Sequence, residues 1–112
     1  MRTTLITIAA VVAFAGTALG AGPNTRTGEA ISKQCGACHG NDGMSVDNNI
    51  PNLAGQHFVY LQEQMNAYKK RTRINPIMNQ MISSLSQEQI DDIAVFYASI
   101  PIRTGAASQP KK

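Results

Sequence analysis

Five consecutive residues, Cys35-Gly36-Ala37-Cys38-His39, restrict this chain more than anything else in its 112 residues. Two residues three apart lie on one face of a helix, so both thiols point to the same side. The imidazole that follows is placed beneath whatever the sulfurs hold. C-x-x-C-H is the spacing at which two thiols each bond a haem vinyl group and the next residue coordinates the iron. Gly36 and Ala37 carry almost no side chain and let a flat ring press against the backbone; Gly40 and Gly43 continue that permissive surface. The motif uses both cysteines of the chain.

Three other chemistries share parts of this pattern. A thioredoxin-like C-x-x-C needs a strand-helix-strand setting, and no convincing strand pattern surrounds it. A structural zinc needs four ligands, which Cys35, Cys38, His39 and His57 would have to supply. A plain surface disulfide is the third.

Size and composition favour the haem. With a leader removed, roughly 90 residues remain, one small domain whose core needs reinforcement. There is no Trp, and there are only three Phe and three Tyr. A covalently held haem would supply the missing apolar volume. The formal charge is +3, and without Arg2 it is +2, nine basic residues against seven acidic. Nucleic-acid binding is excluded on that count, since it calls for a clustered basic face and a stronger balance.

Residues 1–20 read as an export signal: Arg2, an apolar run from Leu5 to Phe14, then Ala15, Gly16, Ala18 and Gly20. The expected cleavage follows Gly20. The run is shorter than the about 20 apolar residues of a stable span, so no membrane span is expected, an uncleaved anchor being the alternative. The domain is expected over 21–103. Residues 104–112 hold no large apolar side chain and read as a flexible tail.

Within the domain a first helix is expected from about Thr27 to Gln34, where Gly28 offers a notch for a close helix crossing. Asn41 to Asn49 is turn chemistry, and Met44 within it is expected to pack at the haem rim. Pro51 keeps a free carbonyl able to accept the second ring hydrogen of an iron-bound His; a plain loop role is the alternative. A second helix runs from His57 to about Lys70, with Phe58, Leu61, Met65 and Tyr68 as a core stripe. His57 is expected to stand exposed at its start. Lys69, Lys70, Arg71 and Arg73 crowd its end, where they complement the helix dipole. Ile74 to Leu85 reads as a loop broken by Pro76, carrying Met78 and Met81. Ser86-Gln87-Glu88-Gln89 is a capping box that opens a last helix to about Ser99. Its expected buried face is Ile90, Ile93, Ala94 and Tyr97 with Phe96 beside them, and Pro101 stops it.

Taken together, these segments resemble the class I cytochromes c, specifically the small soluble bacterial type whose domains also occur as tandem two-haem proteins. The likeness spans about Gly28 to Ser99. It rests on Cys-Gly-Ala-Cys-His-Gly, on Pro-Asn-Leu-Ala-Gly-Gln-His, on Tyr60-Leu61 with Gln64-Met65, and on a Met-bearing loop leading into Leu-Ser-Gln-Glu-Gln-Ile-Asp-Asp-Ile and Tyr-Ala-Ser. The resemblance implies an all-α fold, three main helices around one covalently bound haem c and its iron, with the first and last helices crossing near Gly28. It implies attachment through Cys35 and Cys38, His39 as proximal ligand and the Pro51 carbonyl as its acceptor. The distal Met of such domains lies about eight residues before the Ser opening the last helix, which favours Met78 over Met81. The implied function is a periplasmic one-electron carrier between respiratory or dehydrogenase partners, not an enzyme. The alternatives are a haem subunit of a periplasmic oxidoreductase complex, or a haem enzyme or sensor with an open distal site. Redox partners of acidic surface are expected to dock near Lys69, Lys70, Arg71 and Arg73.

Overall fold

A computed structural model of the chain describes residues 20–102. The expected leader, save Gly20, and the expected tail lie outside the described residues, so neither the cleavage point nor the tail's state is tested. Four helices follow one another: α1 (Thr25–His39), α2 (Phe58–Lys69), α3 (Pro76–Ser83) and α4 (Gln87–Ser99). No strand occurs among the described residues.

α1 starts where Asn24, in extended conformation, accepts hydrogen bonds on its side chain from Arg26 N at 2.9 Å and Thr27 N at 3.1 Å. It runs through the whole C-x-x-C-H motif, five residues beyond the expected end at Gln34. Nothing between Gln34 and His39 breaks a helix; the stop is Gly40, which takes the positive φ of 83° that favours glycine. Both thiols and the imidazole therefore hang from one continuous helix end.

α4 is the central element, packed against α1 and α2, while α3 packs on α2. Both halves of the expected capping box form: Ser86 Oγ accepts from Gln89 N at 3.2 Å, and Gln89 Oε1 accepts from Ser86 N at 2.9 Å. The expected inner face is buried at Ile90, Ile93, Ala94 and Tyr97, with Phe96 half-buried beside it. Leu61 of α2, Ile82 of α3 and Leu85 complete the core. The helix ends at Ser99, two residues before Pro101.

The crossing of α1 and α4 is as close as Gly28 was expected to allow. A Cβ at Gly28 would lie 2.6 Å from the carbonyl carbon of Asp92 and 2.8 Å from Phe96 Cβ. Asp92 itself is buried, and its Oδ1 accepts from Asn24 N at 2.6 Å, tying α4 to the residue that caps α1.

The segment expected as a loop from Ile74 to Leu85 contains α3, a correction to the sequence reading. Pro76 does not break this helix but starts it. At the first helical position its missing N–H costs nothing and its fixed φ is already helical. Asn75 caps it, its side chain accepting from Ile77 N at 3.1 Å and Met78 N at 3.0 Å.

Candidate functional site

The elements leave a cavity of about 330 Å³ between the end of α1, the 49–56 segment, α2, α3 and the inner face of α4. Cys35, Cys38 and His39 line it, together with Pro51, Met65 and Met78; Leu53, Leu61, Ile82 and Ile93 supply aliphatic walls. His39 is buried, and its Nδ1 lies 2.8 Å from Pro51 O. A carbonyl can only accept, so Nδ1 carries the hydrogen and Nε2 is the ring nitrogen left for a metal.

The loop that brings Pro51 there is held by backbone bonds. Gly43, at φ 74°, accepts on its carbonyl from Leu53 N at 2.8 Å and Ala54 N at 3.1 Å. Gly55 N donates to Tyr97 O at 2.9 Å, and Ser45 N to Asn52 Oδ1 at 2.7 Å. The chain between the motif and α2 is thus folded back onto α4, and the Pro51 carbonyl is carried with it.

The first cysteine is half-buried. Burial pushes the Cys35 thiol up, against a lowering contact from Tyr97. Burial, and then the neighbouring Cys35, push the Tyr97 phenol up to about 12, so it remains a neutral hydroxyl in the cavity wall throughout the physiological range. Cys35 and Cys38 are not joined to each other.

The methionines separate. Met78 and Met65 line the cavity; Met81 and Met44 do not and are exposed, at 36% and 37%. Met44, expected at the rim, is not among the residues that line the cavity. His57 stands exposed as the N-cap residue of α2, as expected, and makes no capping bond with its side chain.

Of the basic cluster, Arg73 lines the cavity, its guanidinium 4.7 Å from the Tyr68 ring centroid and donating to Gln64 Oε1 at 2.5 Å. Lys69 Nζ donates to the Leu85 carbonyl. Lys70 and Arg71 are exposed beside them.

Several wall residues escaped the sequence reading. Leu61, Met65 and Tyr68 were expected to face protein; they do pack on the core, yet all three also face the cavity. Tyr60 and Gln64, one turn apart on α2, join them. The spacing i, i+4 was the available signal, but a helical stripe does not say whether its neighbour is protein or cofactor.

The donor set decides among the alternative chemistries. Among the described residues no three His, Cys, Asp or Glu side chains converge as a metal site, so His57 does not join the motif as a zinc ligand. Two thiols, one imidazole with a fixed tautomer, the thioethers of Met65 and Met78 and an aliphatic wall fit haem c and its iron. No helix among the described residues is long and apolar enough to cross a membrane.

Comparison with known proteins agrees with this fit. Residues 26–100 match the family model described as Cytochrome c. The chain is 36% identical over 107 residues to cytochrome c4 of Pseudomonas aeruginosa, an alignment covering 96% of this chain and 53% of that protein. It is 36% identical over 70 residues to a thiosulfate dehydrogenase electron acceptor of Stutzerimonas stutzeri, covering 60% of this chain and 32% of that protein. The solved cytochrome c4 structure of Acidithiobacillus ferrooxidans superposes with a TM-score of 0.66 at 31% identity, over 72% of this chain and 52% of that one. The chain therefore spans about half the length of the two cytochromes c4.

Proposed function

The chain belongs to the cytochrome c family and binds one haem c covalently, and from that premise we propose that it is a one-electron carrier between redox partner proteins in the periplasm. Haem c supplies a ferrous–ferric couple, which exchanges one electron at a time.

In this reading Cys35 and Cys38 form the two thioethers, and their place at the end of one rigid helix fixes the edge of the ring. His39 is the proximal ligand. The Pro51 carbonyl, by accepting the Nδ1 hydrogen at 2.8 Å, holds the imidazole in one tautomer and orientation and raises its basicity as a ligand. Met78 is the distal ligand, and its neutral thioether favours the reduced state. Leu53, Leu61, Ile82 and Ile93 keep water from the ring and so set a low local dielectric. His39 and Met78 would together hold the iron from the chain's own side chains, which would leave the cofactor to electron exchange. The protein moves electrons and performs no bond chemistry of its own.

The observation that supports this reading best is the shared cavity: His39, with its tautomer set by Pro51, and Met78 line the same wall system, while Met81, Met44 and His57 are outside it. Docking is assigned to the neighbouring basic cluster. Lys70 and Arg71 stand exposed beside Arg73, which reaches the cavity, so an acidic partner surface would be drawn to the cofactor's edge. The leader directs export, with cleavage near Gly20, to the compartment where such partners act.

The test is the purified, reduced holoprotein mixed with carbon monoxide, together with an equilibrium redox titration. A carrier gives a one-electron titration and a spectrum that carbon monoxide leaves unchanged on mixing. Rapid, stoichiometric binding of the gas would indicate an open distal site and an enzyme or sensor instead.

A further inference from the structure

The turn between α2 and α3 is exposed at every residue from Lys70 to Asn75, and yet α3 presents Met78 to the cavity. The residue next to Met78 accounts for its placement. Asn79 is 6% exposed, and each polar atom of its side chain is matched to a backbone group. Nδ2 donates to Tyr68 O at 2.7 Å, in the last turn of α2, and to Arg73 O at 2.9 Å, in the turn that follows. Oδ1 accepts from Asn75 N at 2.8 Å, at the cap of α3. Asn75 returns the bond through its own carbonyl, which accepts from Asn79 N at 2.8 Å, while its side chain accepts from Ile77 N and Met78 N.

One buried amide thus joins the end of α2, the 70–75 turn and the first turn of α3. The turn it spans includes Arg71 at φ 57°, a left-handed conformation uncommon for a residue with a side chain, which surrounding contacts must hold in place. A side chain that only filled space would not need two donors and one acceptor aimed at three separate backbone groups.

We propose that Asn79 is the positioning residue of the distal donor: its amide clamp holds α3 so that the Met78 thioether stays over the cavity. The proposal rests on the reading of Met78 as distal ligand. Loosening the clamp should leave haem attachment intact and make Met78 easier to displace.

The measurement is the affinity of the ferric holoprotein for added imidazole, which competes with the distal donor. Asn79→Leu keeps the branching and the number of side-chain heavy atoms and removes all three side-chain bonds. It should tighten imidazole binding by about tenfold or more, the scale expected when buried bonds are lost. Gly28→Ala serves as control, since it perturbs the α1–α4 crossing and no part of the clamp; its imidazole affinity should match the wild type. Equal affinities in Asn79→Leu and wild type, or equal tightening in both variants, would overturn the proposal. Should Asn79→Leu not accumulate as holoprotein, hydrogen exchange of the wild type decides: the Asn75 amide should be protected as strongly as amides inside α3, and free exchange would overturn the clamp. Met78→Ala keeps the two readings apart. If that variant retains its sulfur–iron absorption, the distal assignment fails; if it loses the absorption while Asn79→Leu binds imidazole like wild type, only the clamp fails.

Discussion

Gly28→Ala is a substitution on which two ordinary rules give opposite signs. Inside a helix, alanine in place of glycine normally stabilises by about 1 kcal/mol. Gly28 lies in the second turn of α1, where that gain would apply. Its new Cβ, however, would stand 2.6 Å from the Asp92 carbonyl carbon and 2.8 Å from Phe96 Cβ. Carbon atoms rest at about 3.5–4.0 Å, so the helices must part by roughly 1 Å. Neither obstacle is the free end of a flexible side chain: one is backbone, the other is attached directly to it. Separation would also stretch the bond from Asn24 N to Asp92 Oδ1 and loosen a buried carboxylate. Overpacking of this kind costs about 1–3 kcal/mol, and against obstacles that are backbone or attached to it the upper part of that range applies, about 2–3 kcal/mol, which leaves a net loss of about 1–2 kcal/mol after the propensity gain. For a domain of this size that lowers the melting temperature by roughly 4–16 °C. Thermal unfolding of the ferric holoprotein, followed by far-ultraviolet circular dichroism, reads the change. A melting temperature equal to or above the wild type would refute the close crossing, because it would mean that only the helix propensity was felt.

Two further outcomes follow from named contacts. Ser86→Ala removes the acceptor for Gln89 N and unpairs the capping box, and should cost about 1 kcal/mol in denaturant unfolding with little change in the redox potential. Lys70→Glu with Arg71→Glu reverses the exposed part of the basic cluster. It should slow bimolecular electron transfer to an acidic partner at low salt and flatten the dependence on ionic strength, since such fields act over about 8 Å at physiological salt; unchanged rates with the physiological partner would move docking elsewhere.

Local signals were legible in the chain and tertiary ones were not. The capping box at Ser86, the inner face of α4 and the partnership of His39 with Pro51 depend on residue chemistry at short spacing, and each is found in the structure, as is the crossing at Gly28 that the family resemblance implied. α3 was missed because a proline reads as a breaker, whereas Asn75 before it makes Pro76 the first helical residue. The end of α1 was placed too early because the helix was expected to end where the motif begins, while the actual stop waits for the backbone freedom of Gly40. The α2 stripe was read correctly as an inner face, but periodicity cannot tell a protein neighbour from a cofactor. The roles of Asn79 and Asp92 were invisible, since their partners lie up to 11 and 68 residues away.

The closed distal site stands or falls with Met78, and paired substitutions test it most directly. Ferric Met78→Ala should lose the weak long-wavelength absorption of sulfur-bound iron and show a lower reduction potential, while Met81→Ala, whose side chain is exposed and outside the cavity wall, should keep both. Retention of that absorption in Met78→Ala together with its loss in Met81→Ala would contradict the assignment.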